Sequence, residues 1–402
     1  MNQAKQTNTV FSILVLLGMS HMFNDTLQSV ISAVYPLLKD SLLLNFTQIG
    51  IITLVFQLSS SLFQPVVGWL TDKKPQPYSL PIGMTFTMIG ILSLAFASNM
   101  PQVLIAVFLT GFGSSIFHPE ASRLAYMASG GKHGLAQSLF QVGGNFGGSL
   151  GPLLAAYLIT PYGQRNIGWL AIIALVSIGV MLFISRWYKD NLHILRPQQE
   201  NDSETKTKVK ATLPRNKVIL ALSILLVLIF SKYVYMASLT SYYTFYLIDK
   251  FGISTRDAQL FLFAFLFAVA VGTLLGGPIG DRIGRKYVIW GSILGAAPFA
   301  LAMPHVGLIG TCILSIIIGF ILSSAFSAIL VYAQELLPGK VGLIGGLFFG
   351  LAFGIAGVAS AVLGKVADAT SIQYVYNICA FLPLIGLVTA FLPDNKPKII
   401  NH

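Results

Sequence analysis

The sequence predicts an all-α integral membrane protein of twelve transmembrane helices, built as two pseudo-symmetric six-helix bundles. Three observations carry this. Hydrophobic residues make up 55% of the 402 and charged ones only 10%, where soluble domains carry about 25% charged. The few charges are spaced so that long apolar stretches lie between them. The second half of the chain also repeats landmarks of the first at a nearly constant offset. Two cysteines, Cys312 and Cys379, exclude a disulfide scaffold and a cysteine-based metal cluster.

A bilayer crossing needs about 20 mostly apolar residues. Charge-free runs occupy 6–24, 41–71, 75–119, 133–164, 166–185, 258–280, 287–334, 341–364 and 369–393. Two of these are long enough for two crossings, and each holds a turn signal: Asn99 to Pro101 in one, Met303 to Gly307 in the other. A further apolar stretch near 218–248 is interrupted only by Lys232. The expected helices therefore lie near 10–38, 46–71, 79–98, 101–127, 134–160, 166–186, 217–248, 256–280, 286–303, 307–333, 341–366 and 372–392. The first lacks a small-residue cleavage site and runs past Asp25 to Pro36, so it reads as a retained helix. Residues 187–216 are rich in charge with no apolar face, which predicts a flexible linker. The expected units are residues 1–186, the linker 187–216, and residues 217–402.

Eighteen lysines and arginines fall on the side of the termini and linker and five on the other. The positive-inside rule then places both termini in the cytoplasm. The net charge of +11 is thereby a matter of topology and anionic lipid, and nucleic acid is not an expected partner.

Gly68 to Asp72 and Lys73 return as Gly277 to Asp281 and Arg282; Gly111 and Phe112 return as Gly319 and Phe320; Gly134, Leu135, Leu139 and Phe140 return as Gly342, Leu343, Leu347 and Phe348. Parallel six-helix repeats imply a pseudo-two-fold axis along the membrane normal and a cavity between the halves. The loop residues Gly277, Asp281, Arg282, Gly284, Arg285 and Lys286, with Asp72 in the first copy, resemble the loop signature of the major facilitator superfamily. The resemblance implies a cytoplasmic latch, although Lys73 to Pro77 depart from the pattern in the first half. Gly147, Gly151 and Pro152 are similar to that family's antiporter signature, with Ala155 and Ala156 where it has glycines. Small residues at this spacing also serve close helix packing.

Further segments look like the fosmidomycin-exporting members of that superfamily: Ser20, His21, Asn24 and Asp25; Phe117 to Glu120; Phe140 to Gly147; Ser231 to Tyr233; Ser241 to Tyr246. This likeness runs from the first helix to the last. It implies a monomeric drug exporter of the bacterial inner membrane that exchanges a small anionic drug such as fosmidomycin for protons, with no cofactor beyond the proton. A proton-coupled symporter or exporter of a phosphorylated or carboxylated metabolite would present similar chemistry.

Four formal charges lie inside predicted helices away from their ends: Asp25, Glu120, Arg123 and Lys232. Each would cost about 3 kcal/mol or more at mid-bilayer if unpaired, so pairs or a wet cavity are expected. Depth counting assigns two polar layers. The central layer holds His21, Asn24, Asp25 and Gln28 of helix 1, Gln137, Gln141 and Asn145 of helix 5, and Lys232, Tyr235, Tyr242 and Tyr246 of helix 7. His21, Asn24, Gln28, His118, Gln141, Asn145, Lys232, Tyr235, Tyr242 and Tyr246 are the expected substrate-binding residues, and Asp25 facing Lys232 is the expected pair. The inner layer places His118, Glu120 and Arg123 nearer the cytoplasm. Asp25, Glu120 and Arg123 are the expected proton-coupling groups. No metal-ligand spacing, nucleophile elbow or phosphate loop appears, which disfavours an enzyme, and isolated charges rather than rings disfavour a channel.

Overall fold

The computed structural model describes residues 9–130, 133–205, 214–336 and 341–393. Helix follows helix, with no strand among the described residues. The first half comprises α1 (Phe11–Ala33 continued by Tyr35–Ser41), α2 (Phe46–Leu62 and Gln64–Lys73), α3 (Ser79–Phe96), α4 (Met100–Ala128), α5 (His133–Leu154 and Ala155–Ile159) and α6 (Gln164–Leu170 and Ala171–Thr205). The second comprises α7 (Arg215–Phe251), α8 (Thr255–Ile283), α9 (Arg285–Ile293 through Met303–His305), α10 (Leu308–Ser323 and Ala325–Leu336), α11 (Val341–Ala369) and α12 (Ile372–Cys379 and Leu382–Phe391).

Local sequence sets several ends. Asn45 opens α2 with a reciprocal capping box, its side chain accepting from Gln48 N while the Gln48 side chain accepts from Asn45 N. Asn99 caps α4, accepting from Gln102 N. Gly284, at φ +97°, turns the chain between α8 and α9, a backbone geometry that side chains resist.

Among the described residues ten helices are long and apolar enough to span a bilayer. α1 and α5 are not among them, because polar side chains and glycines replace apolar ones along both. Their lower hydropathy follows from position, since they pack against each other in the interior of the first half. α6 departs from expectation by continuing to Thr205 through the region expected as linker. Tyr188 explains part of this: it is fully buried and its hydroxyl accepts from Arg123 Nη2 at 2.8 Å. Residues 206–213 of the expected linker lie outside the described residues.

The halves meet chiefly through α2 against α11 and α5 against α8. Hydrogen bonds between them gather at the end remote from the termini. Asp368 accepts from Phe46 N and Thr47 N, and Gln259 Nε2 donates to Ala33 O at 3.0 Å while its Oε1 accepts from Thr160 Oγ1 at 2.8 Å.

Candidate functional site

A cavity of about 300 Å³ lies between the halves. Its polar wall comes from the first half: Asp25, Gln28, Ser29 and Ser32 of α1, Thr53, Gln57, Ser60 and Gln64 of α2, Ser114 and His118 of α4, and Asn145 of α5. The second half supplies Thr240, Ser241 and a mostly apolar surface of Leu266, Val269, Ala270 and Phe353.

The polar wall centres on a cluster spanning two helices. His21 Nε2 lies 3.2 Å from Asp25 Oδ2, His118 Nε2 lies 3.5 Å from Asp25 Oδ1, and the two Nε2 atoms are 3.2 Å apart. The four-residue spacing of His21 and Asp25 puts them on one face of α1. Each imidazole is anchored behind: His21 Nδ1 meets Phe140 O at 2.8 Å, and His118 Nδ1 meets Ser114 O at 3.0 Å. Asn24 Nδ2 donates to Asp25 Oδ1 at 3.1 Å. The Phe140 ring stacks on His21 at 4.0 Å between centroids. Asp25 and His118 border the cavity; His21, 3% exposed, lies behind them.

The glycines of α5 make this arrangement possible. A Cβ on Gly143 would stand 2.0 Å from Gly18 O, and one on Gly147 would stand 2.1 Å from Met22 O. On Gly144 it would come within 2.3 Å of the His21 ring. The glycine run therefore brings α1 against α5 and seats the imidazole over Phe140.

His118 joins the central cluster, which corrects its assignment to a separate inner layer. α1 extends over 11–41, so Asp25 is about 24 Å from its outer end, and His118 is about 27 Å from Met100 at the same end, at 1.5 Å per residue. Counting α1 and α4 from opposite ends had separated two residues at one depth. Glu120 and Arg123 do not line the cavity. Glu120, 1% exposed, accepts from Arg123 Nε at 3.2 Å and also from Nη2, and Arg123 reaches on to Tyr188. α4 runs unbroken through Pro119, and the roughly 200° between His118 and Glu120 puts them on different faces.

Lys232 is buried in the second half at 4% exposure, its ammonium 5.4 Å from the Tyr233 ring, and does not border the cavity. The expected Asp25–Lys232 pair is not made, because Asp25 is engaged by His21, His118 and Asn24. Tyr235, Tyr242 and Tyr246 of α7 are buried and do not border the cavity. Tyr242 donates to Ser360 O at 2.6 Å, Tyr246 stacks on Tyr376 and accepts from Lys250, and Tyr235 is fully enclosed. Gln141 is half-buried and stands outside the lining. Of the expected binding residues, Gln28, His118 and Asn145 border the cavity, with His21 and Asn24 directly behind. The side chains of Gln137, and of the latch residues Asp72, Gly277, Asp281 and Arg282, lie outside the described residues; Arg285 and Lys286 are half-buried at the start of α9. Sequence reasoning missed the stripe of α2. Thr53, Gln57, Ser60 and Gln64 recur at steps of four, three and four in an otherwise apolar helix, which is a single helical face.

The chain matches the sequence profile of the Major Facilitator Superfamily over residues 17–361 and again over 225–402. It is 62% identical to the fosmidomycin resistance protein of Escherichia coli (strain K12), over 98% of this chain and 95% of that protein. An uncharacterized MFS-type transporter of Bacillus subtilis, YfnC, is 43% identical over the same shares of the two chains. Among solved structures, an inward-facing, occupied bacterial homolog of the human lysosomal transporter Spinster superposes with a TM-score of 0.73 at 14% identity, covering 96% of this chain and 95% of that one. The partially occluded, inward-open xylose transporter XylE of E. coli also gives 0.73 at 14% identity, covering 96% and 99%.

Proposed function

The chain belongs to the major facilitator superfamily, and as a multi-pass membrane transporter of that family we propose that it expels fosmidomycin-like anionic phosphonates across the bacterial inner membrane, by alternating access, in exchange for protons. The observation that carries this reading is the cavity between the two halves, polar on one wall and closed at the end remote from the termini. Its volume of about 300 Å³ is at the small end for ligand sites and suits a small cargo. Gln28 borders it, and its buried Nε2 has no hydrogen-bond partner among the described residues. The relative named for fosmidomycin resistance supports the cargo class. With both termini cytoplasmic, as the basic residues argue, the closed end is the periplasmic one and the cavity serves cargo arriving from the cytoplasm.

Energetics favour export of an anion. An inside-negative potential of about 100 mV assists the exit of each negative charge by about 2.3 kcal/mol, and proton entry adds to this. The reading is tested by fosmidomycin uptake into inside-out vesicles that contain the protein. An imposed inward-acid gradient should drive uptake, and a protonophore should abolish it. Transport insensitive to the protonophore and to pH would reject proton exchange, and absence of uptake above empty vesicles would reject the cargo.

A further inference from the structure

Two imidazole nitrogens and the two oxygens of one carboxylate converge beside the cavity, His21 Nε2 facing Oδ2 and His118 Nε2 facing Oδ1 of Asp25. A carbonyl oxygen only accepts, so Phe140 O favours the proton on His21 Nδ1, and Ser114 O favours it on His118 Nδ1, where the Ser114 hydroxyl at 3.1 Å can accept from the same N–H. Each neutral imidazole then turns the lone pair of Nε2 toward Asp25. The two Nε2 atoms face one another at 3.2 Å, and each faces a carboxylate oxygen, at 3.2 and 3.5 Å. A single added proton answers one of these contacts and leaves the other nitrogen lone pair against the carboxylate. One dication answers all three together.

The dimensions suit such an ion. A tetrahedral zinc site with bonds of about 2.0–2.1 Å has ligand-to-ligand edges of about 3.3–3.4 Å; the two Nε2 atoms stand 3.2 Å apart, and one ligand atom from each of the three residues lies within 4.8 Å of the others. The outer support is in place as well, since metal-binding histidines usually anchor the second ring N–H on a carbonyl or carboxylate. Here both do, and Asn24 holds Asp25.

We propose that His21, Asp25 and His118 bind one divalent transition-metal ion of the Zn²⁺ or Co²⁺ type, with its fourth position open to the cavity. Two imidazoles and one carboxylate select such ions over Mg²⁺ and Ca²⁺, which prefer oxygen donors throughout. Asp25 and His118 border the cavity, giving the ion an entry path. In the open position an anionic oxygen donor completes the tetrahedron. That last step rests on the cargo class proposed above; the metal site itself does not.

The probe is Co²⁺, added to the full-length protein in detergent after chelator treatment. The expected result is one Co²⁺ per chain with the visible absorption of a tetrahedral site, displaced by one equivalent of Zn²⁺. His21→Ala and His118→Ala should each weaken binding by more than the roughly 10- to 100-fold typical of losing an outer partner. His305→Ala, at an exposed position outside the cluster, should leave it unchanged. His118→Gln and circular dichroism separate loss of a ligand from loss of fold. No stoichiometric binding by the unaltered protein, or binding retained by the folded His21→Ala, His118→Ala double variant, overturns the site. Fosmidomycin should shift the Co²⁺ bands; unchanged bands overturn the contact with cargo. Absence of Co²⁺ binding alongside intact efflux would reject the metal and leave the transport reading standing.

Discussion

The carboxylate of Asp368, at the end of α11, takes three hydrogen bonds at the start of α2: from Thr47 N at 2.7 Å, from Thr47 Oγ1 at 2.6 Å and from Phe46 N at 2.8 Å. One acid in the second half thus holds the amino end of a helix in the first, where exposed N–H groups and the helix dipole favour negative charge. Alternating access requires this contact to break when the closed end opens. A hydrogen bond to a charged group contributes about 1.5–3 kcal/mol. Asp368→Ala is therefore expected to shift the protein toward opening at this end by about tenfold or more. The measurement is labelling of Ser32→Cys, a cavity position, in a background lacking Cys312 and Cys379, with a membrane-impermeant reagent applied from the side of the Asp368 contact. Unchanged labelling would remove Asp368 from the gate.

Gly144 and Gly148 both border the cavity, but only Gly144 touches the His21 ring; a Cβ on Gly148 meets nothing within 4 Å. Overpacking of this kind costs about 1–3 kcal/mol. Gly144→Ala should lower the thermal midpoint in detergent and abolish efflux by displacing His21, while Gly148→Ala should melt with the unaltered protein. Equal midpoints for both would contradict the packing of α5 on α1.

The Glu120–Arg123 pair is buried and continues to Tyr188 on α6. Removing one partner of a buried pair costs about 3–5 kcal/mol, whereas replacing both with apolar groups of similar size is often neutral. Arg123→Ala should strongly reduce folded yield, and the Glu120→Leu, Arg123→Met double variant should recover it. Efflux by the recovered protein would mark the pair as structural; a folded but inactive double variant would return it to proton coupling.

Lys232 and Gln57 invert the expectation from sequence. Gln57 lines the cavity and Lys232 does not. Gln57→Leu is expected to raise the half-saturating drug concentration by about tenfold, the effect of losing one polar contact with cargo. Lys232→Met should alter stability or yield and leave that concentration unchanged. Concentration-dependent vesicle uptake distinguishes them, and the reverse order of effects would overturn the cavity assignment.

The helices were legible because hydrophobic length and charge spacing are local properties of a chain in lipid, where backbone groups must be satisfied within each segment. α4, expected at 101–127, runs Met100–Ala128. The glycine run of α5 was legible as a close-packing face, but which helix it meets was not. Polar residues of α1 were recognisable as a site because His21 and Asp25 sit one helical turn apart, but that His118 meets them was not, since its depth depends on how far each helix extends beyond the membrane. The α7 tyrosines show the same limit: a shared helical face says which residues lie together and not what lies opposite.

The amino-acid sequence by itself determined the membrane class and the run of long apolar helices, which follow from composition and charge spacing, and the family likeness, which rests on particular motif residues. Tertiary structure alone decided that two imidazoles meet one carboxylate across α1 and α4, that Lys232 and the tyrosines are packed away, and that α2 supplies a polar wall. The physical reason is that polar side chains in an apolar interior settle with whichever partners close packing brings within about 3 Å, and those partners here stand about a hundred residues apart.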